Sequence, residues 1–268
     1  MKLSIVLSTQ PARFEALAYK GDFERHVEEI ARLGYDGVEL AVRDPSLLDA
    51  DHVEGAVGRL GLEVPAIGTG QAYGEEGLSF TDPDESVRRR AIERIEAQIR
   101  FARRFDALVI IGLIRGRTAP GVERERAWAW LVEALRECAS LAEEEGMRLA
   151  LEPLNRYETD LVNTVAEALQ LIEEMGSGAV GLLFDTFHAN IEESSIEGSI
   201  REAAPRLLHV HVADSNRWHP GAGHLDFASI VAALREVGYQ GYLSAEILPL
   251  PDPDTCAAKT IEHLRKLI

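Results

Sequence analysis

The chain has 268 residues with 28 Lys and Arg against 45 Asp and Glu, and its formal charge of −17 would repel nucleic acid and other polyanions from most of its surface. Apolar residues make up 46%, enough for a large core, yet the longest strongly apolar stretch, Ala107 to Ile114, is far too short to span a bilayer. The two cysteines, Cys138 and Cys256, lack the spacing of a zinc or redox motif, and the N-terminus lacks a signal peptide's apolar run, so a cytoplasmic location is expected.

In chain order, eight apolar runs read as strands: 3–8, 36–41, 64–69, 107–113, 147–152, 180–185, 207–212 and 242–248. Between them lie segments of helical period with recognisable ends. Asp22 precedes a helix that Gly34 stops. Asp82, Pro83 and Glu85 read as N-cap, first-turn proline and capping-box partner, and Thr164 with Glu167 repeats the signal. Asp226 opens a helix running to Gly238, and Asp252 with Pro253 opens the last. Strand and helix alternate with short connections, which predicts a parallel sheet flanked by helices. Eight such units in 268 residues favour closure into one (β/α)8 barrel domain, 1–268, close to the usual size of about 250 residues.

Glu152, Asp185, His211 and Glu246 stand at or near the ends of predicted strands five to eight, separated by 33, 26 and 35 residues. Strand alternation places Glu152 with Ala150, Asp185 with Leu183, and His211 with His209 on the barrel's inward face, with Leu208, Val210 and Val212 turned toward the helices. A single carboxylate after a strand is most often a helix cap or a solvated loop charge. Four inward-facing groups at consecutive strand ends point instead to a cation that offsets their desolvation. Three carboxylates and one imidazole suit Mn2+, Mg2+ or Co2+ better than structural zinc, and leave coordination positions open for a substrate. His209, one layer deeper, reads as a hydrogen-bonded interior group. Glu39 and Thr69 to Gln71 belong to the same mouth. Arg115 and Arg117, with Arg156 and Arg217, are the nearby cations, surface charges unless one meets a substrate anion.

The segments EPLNRYETDLVNT (152–164), FDTFHANIEE (184–193), HVHVADSNRWHPGAGHLDF (209–227) and YLSAEILPLP (242–251) resemble the xylose-isomerase-like superfamily, within it the D-tagatose/D-psicose 3-epimerase group. The opening segments KLSIVLSTQ, ELAVRDPS, AIGTGQAYGEEGLSF and LVIIGLIRGR look closest to its bacterial 5-keto-L-gluconate epimerase branch, associated with inositol breakdown. The resemblance implies Glu152, Asp185, His211 and Glu246 as ligands of one divalent metal, Mn2+ foremost. It makes Glu152 and Glu246 the acid/base pair, and Glu158, His188 and Arg217 the substrate-binding residues. The implied reaction inverts C3 of a ketose through an enediolate. The implied substrate is a ketohexuronate, 5-keto-L-gluconate interconverting with D-tagaturonate, with D-tagatose, D-fructose or D-psicose secondary and Arg115 as the carboxylate's partner. Homodimers or homotetramers are common in the group. An aldose–ketose isomerase of the hydroxypyruvate isomerase kind stays open as the alternative, and a non-catalytic sugar-binding barrel has no need of two proton-handling carboxylates. An apurinic endonuclease would need further histidines on early strands and Asp-x-His after strand seven; here strands three and four end in Thr69-Gly70 and Gly112-Leu113, and the later position reads Arg217-Trp218-His219.

Overall fold

The computed structural model describes residues 1–268. Eight parallel strands, β1 (Lys2–Ser8), β2 (Gly37–Ala41), β3 (Ala66–Gly68), β4 (Leu108–Ile111), β5 (Leu149–Leu151), β6 (Val180–Asp185), β7 (Leu207–Val212) and β8 (Tyr242–Ala245), each pair with the next. Pairing of β8 with β1, from Lys2 opposite Tyr242 to Ile5 opposite Ala245, closes the (β/α)8 barrel. A two-residue strand, Tyr19–Lys20, which no apolar run announced, adds to β1. Strands three, four, five and eight are shorter than their apolar runs, so Glu246 stands just beyond the last ladder pairing, as Glu152 does beyond β5.

Ten helices surround the strands: α1 (Phe23–Leu33), α2 (Ala50–Arg59), α3 (Gly70–Glu76), α4 (Glu85–Ala102), α5 (Arg124–Glu144), α6 (Val165–Met175), α7 (Thr186–Glu192), α8 (Ile196–Ala203), α9 (Phe227–Glu236) and α10 (Pro253–Leu264). None is long and apolar enough to cross a membrane. Most starts follow local chemistry. Thr164 and Glu167 form the full capping box of α6, Asp226 accepts from Ala228 N and Ser229 N, and Asp252 caps α10 with Pro253 in its first turn. Two starts differ from expectation. The cap of α4 is Asp84, which accepts from Ser86 N at 2.8 Å, while Asp82 makes a turn by accepting from Asp84 N; Pro83 therefore lies before the helix. Asp22 sits in the left-handed region at φ 32° and its side chain caps nothing.

The apolar packing is divided unequally. Outward-facing strand residues and the helices form one cluster of 67 buried residues, whereas Ala66, Leu108, Ile110, Ala150 and Leu183 form a separate five-residue plug inside the barrel. The ring between strands and helices thus carries most of the hydrophobic stabilisation. Above the small plug, the interior is free for polar groups. One strand breaks the expected alternation: β6–β7 register moves from Leu182 opposite Leu207 to Leu183 opposite His209, leaving Leu208 as a bulge. Leu208 consequently packs against the interior plug and not with Val210 and Val212 toward the helices.

Candidate active site

The barrel brings the four expected ligands together. Glu152 follows β5, Asp185 ends β6, His211 is the penultimate residue of β7, and Glu246 follows β8. One donor atom from each lies within 4.8 Å of the others. His211 Nδ1 is 3.5 Å from Glu152 Oε1 and 3.7 Å from Asp185 Oδ2. Those three atoms are buried with no hydrogen-bond partner. Buried polar atoms are ordinarily paired, so three orphans converging on one point mark a place shaped for a cation. The donor set, three carboxylates and one imidazole, fits a hard or borderline divalent ion.

Each donor is aimed by its surroundings. Asp185 spends Oδ1 capping α7, accepting from Phe187 N at 2.6 Å and His188 N at 3.3 Å, which leaves Oδ2 for the centre. Gly112, after β4, makes room for Glu152: a Cβ there would come 2.6 Å from Glu152 Oε2. The His211 ring donates from Nε2 to Glu39 at 3.0 Å, so Nδ1 is the nitrogen left facing the carboxylates. Glu39, 1% exposed on β2, also accepts from His209 Nε2 at 2.8 Å. Burial would raise the Glu39 carboxyl, but the two imidazoles outweigh it and hold it far below the usual range. Glu246 goes the other way. Burial, helped by the charges of Glu152 and Asp185, pushes it up to about 8 despite the opposing Arg217 and His211.

The substrate-facing residues form a second group. His188 Nδ1 accepts from Asn155 N at 3.3 Å and sits 2.8 Å from Asn155 Nδ2, which places the ring proton on Nε2. That N–H has no partner and lies 4.0 Å from Glu152 Oε1. Arg217 donates to Glu158 at 3.0 Å and Glu246 at 2.8 Å, with its guanidinium 5.0 Å from the Phe14 ring and 4.8 Å from the Phe187 ring. Its backbone is left-handed at φ 62°, a conformation that the loop after β7 imposes through Asp214, whose carboxylate accepts from Ser215 N, Gly221 N and Leu225 N. Glu158, His188 and Arg217 all line the cavity.

Arg115 corrects the sequence reading. It is fully buried, does not line the cavity, and gives four of its five N–H groups to backbone carbonyls, those of Gly112, Glu152, Leu161 and Val162, so it is held away from a substrate carboxylate. It fastens the backbone of Glu152 to the loop that follows. Arg117 is exposed, Arg156 is engaged by Glu192, and Arg217 is the one arginine that lines the cavity. Thr69 is turned into the sheet, donating to Ile110 O at 2.6 Å. The sequence reading missed Asn155 as the group that sets the His188 tautomer, and it gave Glu39 no part beneath His211. The inward parity of Glu39 with Gly37 and Ala41 was the available signal, but its partners lie across the barrel.

Residues 27–267 match the family described as xylose isomerase-like TIM barrel. The chain is 33% identical over 236 residues to an L-ribulose 3-epimerase of Mesorhizobium japonicum, covering 87% of this chain and 78% of that protein. It is 31% identical over 235 residues to a D-psicose 3-epimerase of Ruminiclostridium cellulolyticum, covering 85% and 79%. The crystal structure of a D-allulose 3-epimerase from Methylomonas sp. in complex with D-allulose superposes with a TM-score of 0.83 at 26% identity, covering all of both chains.

Proposed function

The chain belongs to the xylose isomerase-like TIM barrel family, and from that premise we propose that it is a carbohydrate epimerase that inverts C3, the carbon beside the keto group of a ketose. The observation that carries this reading is the pair of glutamates on non-adjacent strands, Glu152 after β5 and Glu246 after β8, sharing one centre. Inversion needs a base on one face of C3 and an acid on the other. One of the two glutamates removes the C3 proton from its face while the other delivers a proton to the opposite face, and the reverse reaction exchanges the roles. The His188 Nε2–H and the Arg217 guanidinium supply positive character beside the C2 oxygen, where charge develops. A divalent cation held by Glu152, Asp185, His211 and Glu246, Mn2+ before Mg2+ or Co2+, would add electrophilic stabilisation of the same charge.

Neutral ketoses are placed before a ketohexuronate. The sequence reading put 5-keto-L-gluconate and D-tagaturonate first on the branch resemblance and on the Arg115/Arg117 pair; of that pair, the Arg115 guanidinium is engaged by backbone carbonyls and Arg117 is exposed outside the cavity. The remaining cation in the cavity, Arg217, is already matched by two carboxylates. The epimerases similar to this chain are named for D-psicose and L-ribulose. A role in inositol breakdown stands or falls with the uronate. The homodimer or homotetramer and cytoplasmic location belong to the same proposal.

The test is NMR in D2O with Mn2+ and a panel of ketoses and ketouronates. Deuterium entering C3 with inversion is expected, and Glu152→Gln or Glu246→Gln should each lower exchange by about 100-fold or more. Exchange at C1 with an aldose product would replace epimerase by aldose–ketose isomerase; no exchange with any sugar would remove the enzymatic reading.

A further inference from the structure

Across the mouth from the four ligands, one buried amide has a half-used hydrogen-bonding capacity. Gln71, in α3 just after β3, is 4% exposed and lines both the enclosed cavity and its outer vestibule. Its Nε2 donates to Ser8 Oγ at 2.6 Å. The single hydroxyl hydrogen of Ser8 is committed to the backbone carbonyl of Gln10. Gln10 is fixed in turn, its Oε1 accepting from Arg43 N at 2.9 Å and Asp44 N at 3.0 Å. Ser8 can therefore only accept from Gln71, which settles the amide's orientation: NH2 toward β1, Oε1 away from it. That Oε1 is buried and has no partner.

We propose that Gln71 is a specificity-determining residue whose Oε1 accepts a hydrogen bond from the terminal hydroxymethyl group of a ketose and disfavours a carboxylate at that end. The topology supports the assignment. The metal-binding side chains come from β5 to β8, whereas Ser8 ends β1 and Gln71 follows β3, so the two groups occupy opposite halves of one mouth. A sugar with C2 and C3 at the carboxylates extends its far end toward Gln71. Val6, Leu17 and Ala41, which line the same cavity, are apolar. An orphaned buried carbonyl rewards a ligand that brings an O–H and penalises one that brings only acceptors, as a carboxylate does.

The inference deepens the ketose reading and rests on it. The experiment compares the Mn2+-loaded wild type with Gln71→Leu and Ser8→Ala, using D-psicose, its 6-deoxy derivative and a ketohexuronate. Both kcat/KM and dissociation constants are measured, together with Mn2+ affinity. The wild type should favour the ketohexose over the 6-deoxy sugar by about 10-fold or more. Gln71→Leu should bring that ratio near unity while leaving Mn2+ affinity and the 6-deoxy value nearly unchanged. Ser8→Ala releases the amide to rotate and should raise uronate relative to ketohexose by about fivefold or more. A ketohexose to 6-deoxy ratio equal in wild type and Gln71→Leu, or parallel losses on all three ligands, overturns the proposal and leaves Gln71 a structural tie between α3 and β1. Should C3 exchange fail in the wild type, the epimerase reading falls first, and the same ratio in dissociation constants decides the Gln71 assignment.

Discussion

Arg115 and Glu39 carry two charges that solvent barely reaches, and each acts on the site through another residue. Arg115 holds the carbonyls of Glu152, Leu161 and Val162 together, and Val162 is itself in the left-handed region at φ 59°, which a β-branched residue adopts only when its surroundings force it. Arg115→Lys cannot reproduce a fork of donors to several carbonyls. We expect it to cost about 3–5 kcal/mol in denaturant unfolding and to lower kcat/KM for a neutral ketose and a ketouronate by the same factor; a selective loss on the uronate would return Arg115 to the substrate. Glu39 orients His211, so Glu39→Gln should weaken Mn2+ binding by about 10–100-fold in titration calorimetry, with the fold intact by circular dichroism. Unchanged affinity would reduce the carboxylate to interior packing. Glu152, Asp185, His211 and Glu246 were legible because strand parity and strand ends are local properties. The functions of Arg115 and Glu39 were not, since a sequence does not say whether a guanidinium's donors meet backbone carbonyls or which side chain lies across a barrel.

The bulge in β7 is the element on which the histidines depend. Leu208 is the extra residue, and it lies against Gly181 of β6: a Cβ at Gly181 would come 2.5 Å from both Leu208 Cγ and Arg206 O. The contact involves backbone, so it does not relax by a side-chain rotation. Gly181→Ala should push β7 away at the bulge, costing about 2–3 kcal/mol by overpacking. Because His209 and His211 follow directly, Mn2+ affinity should fall in the same variant. Loss of stability with unaltered metal binding would show that the bulge and the ligand-bearing end of β7 move independently. The apolar runs revealed that β7 exists and where it ends, and the inward parity of His209 and His211 survived because both lie beyond the bulge. Leu208 was misplaced because alternation assumes an unbroken ladder. The α4 start was misread for a related reason: Asp82 and Asp84 are both N-cap residue types, only Asp82 has a Glu three residues on, and the turn made by Asp82 leaves the cap to Asp84.

For the whole molecule, the centre links protonation to stability. In the metal-free protein Glu246 titrates near 8 against an ordinary value of 4.5, so the folded state holds a proton that the unfolded chain has released. Its contribution is fully present below about 4.5 and declines as pH rises toward 8. His211, whose pKa its carboxylate neighbours raise well above 6.5 against the cost of burial, adds a loss in the same direction above that value. Asp185 acts at the other end: its carboxyl is held low despite burial, by His188 and His211 among others, so its contribution is present above about 3.8 and lost as pH falls below that. A bound cation requires the carboxylates ionised and the imidazole neutral, and binding therefore expels the protons on Glu246 and His211. The overall charge of −17 also favours unfolding as pH rises, but it does so with and without metal and cancels in the difference. The expected outcome is a gap in Tm between Mn2+-loaded and EDTA-treated protein that widens from pH 6 to pH 8. Calorimetry in buffers of different ionisation enthalpy should show proton release that shrinks over the same interval. At a free metal concentration of 100 times Kd the stabilisation is about 2.7 kcal/mol, and each tenfold tightening with pH adds about 1.4 kcal/mol. A gap independent of pH, with no protons released, would mean that the four donors are not the groups a cation displaces protons from, and the centre would have to be sought elsewhere in the barrel.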